Sequence, residues 1–135
     1  MRYSCLPAFI MVVALVLVAC GLMSCNKARA HYQNGMAKLH ASQFGEALEN
    51  FEAALVEDPA SNMALFGKAR SLYELKRFDE ALPCFEQFIT QTESVRATYS
   101  DERFDAEFYR DKCKLELGIE VPQDPDAIPE ERMRY

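Results

Sequence analysis

The sequence predicts an all-α domain, built as a short right-handed solenoid of two helical hairpins followed by a C-terminal capping helix. The main observation is an internal repeat: residues 44–52 and 78–86 share the pattern Phe-x-Glu-Ala-Leu-x-x-Phe-Glu, which recurs after about 34 residues. A second observation is Asp58-Pro59, which stops the helix that contains the first copy because proline disfavours a helical residue before it. A repeat of this length indicates hairpins that bury their apolar faces against one another.

The period and the placement of small residues resemble the tetratricopeptide repeat (TPR) family. In that family each repeat is a hairpin of helices A and B, with small residues where the helices cross and large ones around them. Gly35, Ala47 and Ala54 stand at the small positions of the first repeat. Phe44 and Phe51 stand at the large positions. The resemblance implies a fold that binds other proteins rather than one that performs catalysis.

The first repeat is expected over residues 28–61. Helix A should cover residues 28–41 and helix B residues 46–57, with the turn between them. His31, Asn34 and Lys38 stand where the family usually has an aromatic residue, a leucine and a tyrosine. These departures predict a loosely packed first helix.

The second repeat is expected over residues 62–95, with Ala81 at its crossing position. Asp79 is predicted to cap helix B by accepting hydrogen bonds from free backbone amides. That register puts Pro83 at the edge of the first turn, where a missing N–H costs little. Glu93 replaces the usual terminal proline, so this helix is expected to continue past the ordinary boundary.

A third helix is predicted over residues 101–118. Phe66 recurs as Phe108 and Tyr73 recurs as Leu115, at one common spacing that is longer than the first, and Gly118 is a suitable C-cap. The pattern of a helix B does not follow, so we expect a capping helix that covers the last apolar face. Residues 119–135 are acidic and contain three prolines, and they are expected to form a flexible tail.

The N-terminal residues are typical of an export signal. No charged residue occurs between Arg2 and Lys27, and the chain is apolar from Leu6 to Ala19. A basic start followed by an apolar stretch of this length predicts a secretory signal peptide over residues 1–19.

A lipid anchor is predicted at the end of this signal. Leu17-Val18-Ala19-Cys20 resembles the bacterial lipobox, in which the cysteine thiol receives diacylglycerol and the chain is cut before that cysteine. The resemblance implies lipidation of Cys20 by acyl chains such as palmitate, with residues 20–27 as a tether. Cys25 is the alternative, in a poorer match with Met23 two residues before it; an uncut signal anchor is a further interpretation. Acyl chains contribute about 0.8 kcal/mol per buried methylene, so we expect a protein of the bacterial cell envelope, held on a membrane and facing the periplasm.

Charge and motif content argue against several function classes. The chain has 15 basic and 21 acidic residues, whereas phosphate binding needs concentrated Lys and Arg, so nucleic acid is not expected as a partner. His31 and His40 lie nine residues apart, about 180° around a helix, and a metal site is not expected. The sequence has no Gly-rich phosphate loop and no Gly-x-Ser-x-Gly motif. We therefore expect no catalytic residues, no cofactor and no small-molecule substrate.

Two cysteines, Cys84 and Cys113, fall within the predicted domain. An oxidising compartment would allow a disulfide between them. Two separate, small buried side chains are the interpretation we favour.

The expected partner site is the concave groove that helices A line in the TPR family, where a helix or an extended peptide binds. By repeat position, the resemblance assigns it to Tyr32, Met36, Met63, Phe66, Arg70, Tyr73, Phe108 and Lys112, with Arg29, Leu39, His40, Glu74 and Leu115 beside them. About half of these residues are expected to pack in the core instead. The Lys, Asn and Arg clamp of chaperone-binding members is not matched, since Tyr32, Met36, Gly67, Asp105 and Tyr109 occupy its positions. The predicted function is a membrane-anchored scaffold or adaptor, and the alternative is a non-catalytic accessory subunit of a cell-wall or export enzyme complex.

Overall fold

The computed structural model describes residues 26–121, which consist of helices joined by short connections and contain no β-strand. The predicted signal peptide, Cys20, Cys25 and residues 122–135 lie outside the described residues. The elements are α1 (residues 26–40), α2 (Phe44–Glu57), α3 (Asn62–Glu74), α4 (Phe78–Gln91), a 3-10 turn (Glu93–Val95) and α5 (Ser100–Glu116).

The helices stack in the order of the chain. Helix α2 packs on α3, α3 on α4 and α4 on α5, and α3 also touches α5. This serial packing of helical hairpins confirms the predicted all-α solenoid. Helices α1, α3 and α5 are its A helices, and α2 and α4 are its B helices.

Phe51 of α2 lies at the centre of the first three helices and has no exposed surface. A Cβ atom placed on Gly35 of α1 would lie 2.8 Å from Cε1 of the Phe51 ring. One placed on Gly67 of α3 would lie 2.5 Å from Cε1 and Cζ. Both helices therefore approach this ring at a distance that only glycine allows. The predicted crossing positions Ala47 and Ala81 are also fully buried.

A second aromatic cluster continues the core into the second hairpin. Phe66 of α3 packs on Phe85 and Phe88 of α4, with ring centroids 6.2 and 5.2 Å apart. Phe85 stacks on Tyr109 of α5 with centroids 5.7 Å apart and planes inclined by only 14°. The three helices α3, α4 and α5 thus share one continuous aromatic contact.

Each A helix ends in the same backbone turn. Ser42, Lys76 and Gly118 have φ angles of 57°, 62° and 71°, in the left-handed region. In each case the next residue donates its amide to the carbonyl oxygen five residues back, over 2.9, 3.0 and 2.8 Å. This is the Schellman arrangement, which satisfies the last carbonyls of a helix. After α1 and α3 it is followed at once by a B helix.

The B helices begin earlier than the sequence predicts. Helix α2 starts at Phe44 and α4 at Phe78, because the turn is already complete at the preceding residue. The predicted cap at Asp79 is wrong: Arg77 holds the N-cap position, and its guanidinium donates to both carboxylate oxygens of Glu80 at 2.7 Å. Pro83 consequently lies inside α4 rather than at the edge of its first turn.

The connection between α4 and α5 is held by a buried arginine. Arg103 of α5 is 4% exposed. It donates hydrogen bonds to the carbonyl oxygen of Ile89, to Oγ1 of Thr92 (3.0 Å) and to the Glu93 carboxylate (2.6 Å). Buried charge is tolerated only when it is paired in this way. Glu93, which replaces the family's terminal proline, thereby fixes the start of the 3-10 turn to α5. The predicted continuation of the helix past its ordinary boundary is wrong, because α4 ends at Gln91, the repeat equivalent of the last residue of α2.

Helix α1 is the least buried helix, as its departures from the repeat pattern predict. Among residues 26–40 only Ala28 and Gly35 are buried. The two cysteines of the domain are not joined by a disulfide: Cys84 is half-buried and Cys113 is fully buried, and both are free thiols.

Gly67→Ala should destabilise the domain by about 1–3 kcal/mol, because the added methyl overpacks against the Phe51 ring. Gly35→Ala should act in the same direction with a smaller effect, since its Cβ would meet the ring at a longer distance. The matched control is Gly45→Ala in the first turn of α2, where a Cβ meets nothing within 4 Å. That control should be neutral or stabilising by up to about 1 kcal/mol. Urea unfolding followed by circular dichroism measures all three; equal stability of Gly67→Ala and Gly45→Ala would contradict the role given to Phe51.

Candidate functional site

The repeat register places three predicted groove residues at equivalent points of the A helices. Met36, Arg70 and Lys112 follow one another at the repeat spacings, and all three are half-buried. Met63 and Asp105 form a second equivalent pair, also half-buried. We call the surface formed by Met36, Met63, Arg70, Asp105, Tyr109 and Lys112 the A-helix groove.

Tyr109 is the aromatic centre of this surface. Its ring lies 4.8 Å from that of Tyr73 and 5.5 Å from that of Phe108, both in edge-to-face geometry. It also stacks on Phe85 of the core. Edge-to-face and offset pairs of this kind add about 0.5–1.5 kcal/mol each beyond the area they bury. Tyr109 is therefore held rigidly by three neighbouring rings.

Arg70 lies against Tyr109. Its guanidinium carbon is 5.7 Å from the centre of the Tyr109 ring, within range of a cation–π interaction. Its Nε atom is buried and has no hydrogen-bond acceptor within residues 26–121. A buried donor without an acceptor costs about 1–3 kcal/mol. Arg70 is thus oriented by an aromatic face, and the Nε atom of Arg103 is the other buried donor of this kind within residues 26–121.

Partial burial changes the ionisation of two side chains on this surface, Asp105 and Tyr109. Burial raises the pKa of the Asp105 carboxyl, and the positive charge of Arg70 only partly opposes the change. Burial likewise raises the pKa of the Tyr109 hydroxyl, again against the effect of Arg70. In both cases burial changes the pKa more than the opposing positive charge of Arg70 does. Electrostatic interactions made here are consequently stronger than on an open surface.

Tyr32 of α1 lies between the core and the surface of the A helices, and it is half-buried. Burial raises the pKa of its hydroxyl, and the Glu102 carboxylate of α5 raises it further. Its ring also contacts Phe51, with centroids 6.0 Å apart. Tyr32 of α1 is therefore close enough to Glu102 of α5 for that charge to affect its pKa.

Several predicted groove residues have a different place in the structure. Phe66 is 8% exposed and belongs to the core, because its position on α3 faces the B helix of its own hairpin. Tyr73 is half-buried between Phe78, at 5.5 Å, and Tyr109. Phe108 lies beside Tyr109 and under the Lys112 ammonium group, 5.4 Å from the ring centre.

Tyr109 and Asp105 are groove residues that the sequence did not reveal. Sequence reasoning placed both only as mismatches to the chaperone clamp, although each lies close enough to Arg70 to feel its charge. The available signal was the spacing: Tyr109 follows Gly67 at the same interval at which Phe108 follows Phe66.

These observations define a class of protein, a solenoid of helical hairpins whose A helices form a surface suited to a protein ligand. The tetratricopeptide repeat profile matches residues 25–94, more than half of the chain, and the chain belongs to that family. No curated protein and no solved structure matches it. The matched residues end before α5. The third A helix, with its groove residues, is therefore seen in the structure and not in the family match.

The TPR family is generally a non-catalytic fold for protein interaction. Within residues 26–121, no three or more His, Cys, Asp or Glu side chains come together in a way that could hold a metal ion. None of the helices in this range has the length and apolar character needed to cross a membrane.

Cys113 should be alkylated more slowly than Cys84 in the native protein. Burial raises the pKa of Cys113 from 9 to about 11, so its thiolate fraction at pH 8 falls about 100-fold. Cys84 is half-buried, and the charge of Lys68 opposes the rise of its pKa. Reaction with iodoacetamide, followed by peptide mass spectrometry from pH 7 to pH 9, measures both rates. In urea the two rates should converge, and equal rates in the native protein would contradict the burial of Cys113.

Proposed function

We propose that this chain is a membrane-anchored scaffold or adaptor of the bacterial cell envelope, which binds a segment of another protein in the A-helix groove. The observation that carries the proposal is the half-buried Arg70, whose guanidinium group lies over the Tyr109 ring at the A-helix groove. Membership of a protein-binding family supports the same conclusion.

The chemistry of the groove favours a mixed apolar and polar peptide segment. Met36 and Met63 supply flexible apolar contact, which adapts to irregular partner surfaces. Tyr109 and Arg70 are of the residue types enriched at binding hot spots. A backbone carbonyl or a polar side chain of the partner would accept a hydrogen bond from the guanidinium group of Arg70.

Lipidation would place this groove at a membrane surface. The lipobox resemblance at Cys20, with Cys25 as the alternative, supports an anchor at the end of a tether covering residues 20–27. Because a single acyl chain gives only marginal membrane binding, stable anchoring rests on the several chains that lipoproteins of this kind carry. In this arrangement the solenoid faces the periplasm and recruits its partner there.

The alternative is a non-catalytic accessory subunit of a cell-wall or export enzyme complex. The same groove would then hold a segment of the enzyme and position it at the membrane. Co-purification of a hydrolase or synthase activity with the chain would select this alternative over a scaffold without enzymatic partners.

Arg70→Met should weaken partner binding about tenfold or more while leaving the fold intact. The substitution keeps an unbranched apolar side chain and removes the guanidinium group that lies over Tyr109. Tyr109→Phe should have a smaller effect, since it keeps the ring and removes only the hydroxyl. The measurement is photo-crosslinking from membranes, with a photoreactive residue at Met63 and the yield of the crosslinked partner as readout.

Arg96→Met is the matched control for this experiment. Arg96 follows the 3-10 turn, its side chain is 67% exposed, and its ion pair with Glu93 is long, at 3.7 Å. Its replacement should leave the crosslinking yield unchanged. Circular dichroism checks that all variants retain their helical content, and undiminished crosslinking by Arg70→Met would reject the groove.

Cys20→Ala should abolish the metabolic labelling of the protein by an alkyne fatty acid, because the thioether to the lipid requires the cysteine sulfur. Cys25→Ala should leave the label in place. Persistence of the label in Cys20→Ala and its loss in Cys25→Ala would assign lipidation to Cys25. Retention of the label in both single variants would argue against either cysteine as the sole attachment site.

A further inference from the structure

Helix α5 carries apolar side chains on the side that faces away from the core. Phe104, Phe108 and Leu115 lie on this side of the helix. The opposite side carries Ala106 and Cys113, which are fully buried. Phe104 is 43% exposed and Leu115 is 61% exposed. We call Phe104, Phe108 and Leu115 the outer stripe of α5.

The equivalent face of α3 is the one on which a second helix packs. Phe66 and Tyr73 are the repeat equivalents of Phe108 and Leu115, since one common spacing separates the members of each pair. The Phe66 ring lies 5.2 Å from that of Phe88 in α4, which runs antiparallel to α3 as the second helix of the hairpin. Within the described residues no helix follows α5, so its outer stripe has no such neighbour there.

The outer stripe follows the spacing of a coiled-coil seam. Phe104 lies four residues before Phe108, and Asp111 lies three residues after Phe108 and four before Leu115. Alternating steps of four and three residues form the line along which one helix pairs with another. Asp111 is the polar member of this line, and its carboxylate accepts a hydrogen bond from the Arg110 guanidinium group at 2.8 Å. A single polar residue in such a seam specifies how the paired helices are arranged.

Charged residues flank the outer stripe in an order that selects the orientation of a second helix. Asp105 and Lys112 lie on one edge of the stripe, and Glu107 and Lys114 lie on the other. On both edges the acid precedes the base by seven residues, so an antiparallel copy of α5 would place each acid opposite a base. A parallel copy would instead bring the two Asp111 carboxylates together in the seam, and such like-charge contacts oppose association.

Two of these flanking side chains are already held in place within one copy. Lys114 lies 3.3 Å from Glu86 of α4, and Glu107 lies 3.5 Å from Arg103. Side chains that are held in this way lose less conformational freedom when a second copy binds. The charged edges are therefore partly ordered for contact before association.

We propose that two copies of this chain form a dimer in which their α5 helices pair antiparallel through the outer stripes. A two-fold axis then brings the same face of each copy together, and the contact closes without further association. In this register Phe108 lies opposite Asp111 of the second copy, and Phe104 lies opposite Leu115. Each α5 takes, on the other copy, the place that α4 takes on α3. The dimer goes beyond the proposed function, because it requires neither a ligand in the A-helix groove nor the lipid anchor.

Photo-crosslinking of the purified full-length protein in detergent tests the dimer. Replacing Asp111 with benzoylphenylalanine should give a crosslinked species of twice the chain mass on a denaturing gel. The reference is the same replacement at Val56 of α2, which is 80% exposed and should give no such species. Adding Leu115→Ser should lower the yield at position 111 severalfold, because it removes apolar contact between the copies.

Exchange of charges tests the antiparallel orientation. Lys112→Glu should raise the dissociation constant of the dimer about tenfold or more, because an acidic side chain would then lie opposite Asp105 of the second copy. Asp105→Lys should act in the same direction. The two changes combined in one chain should restore the dissociation constant to within about threefold, since opposite charges face each other again. Positions 105 and 112 lie about 10 Å apart along one helix, so a contact within one copy does not produce this restoration. Sedimentation velocity over a concentration series measures all three variants.

Crosslinking to a second chain that is no stronger at position 111 than at position 56 would overturn the proposal, and this comparison stands even if the charge variants fail to fold. A crosslink from position 111 to residues 122–135 of the same chain, without the species of twice the mass, would also overturn it. Failure of the combined variant to restore association, with helical content retained by circular dichroism, would overturn the antiparallel pairing. All of these measurements use purified protein, so their outcome is separate from that of the groove experiment.

Discussion

The contact of the Phe51 ring with two glycines is the constraint on which the rest of the structure depends. The ring lies so close to Gly35 and Gly67 that neither position has room for a methyl group. It therefore fixes the separation of α1, α2 and α3 in a single place. Met36 follows Gly35 directly, and Arg70 lies one helical turn beyond Gly67. The packing that holds the first hairpin to the second thus also sets the distance between two residues of the groove.

The next repeat uses the same position in the opposite way. Tyr109 is the repeat equivalent of Gly67, and it meets Phe85, the repeat equivalent of Phe51. Where glycine lets the helix approach the ring edge, tyrosine stacks nearly parallel on the ring with centroids 5.7 Å apart. The large side chain also reaches Tyr73 and Arg70. One repeat position thus serves close packing in α3 and forms part of the A-helix groove in α5.

The sequence was sufficient to predict the architecture but not the composition of the groove. The internal repeat and the small residues Ala47 and Ala81 predicted hairpins that cross closely, because burying matched small residues has few alternative solutions. The start of α4 was predicted wrongly, because an aspartate before an apolar run resembles an N-cap. The Schellman turn at Lys76, which actually sets the start of the helix, cannot be recognised from the residue types in the sequence. Phe66 was assigned to the groove, because a repeat position specifies a side of the helix only to within about one residue. Whether a residue faces the groove or its own B helix can be decided only from the side chains that pack around it in the structure.

The arrangement of Arg70 is hard to explain by stability alone. Arg103 shows how this chain buries an arginine that serves the fold, with three acceptors around its guanidinium group. Arg70 instead has an aromatic face and a nearby carboxylate whose own pKa is raised. The Nε atom of each of the two arginines is buried without an acceptor within the described residues. Methionine or leucine on the same stem would fill this space without leaving a buried donor unpaired. The two arginines therefore differ in what surrounds the rest of the guanidinium group: the terminal nitrogens of Arg103 join α4 to α5, whereas the guanidinium group of Arg70 lies over Tyr109 at the A-helix groove.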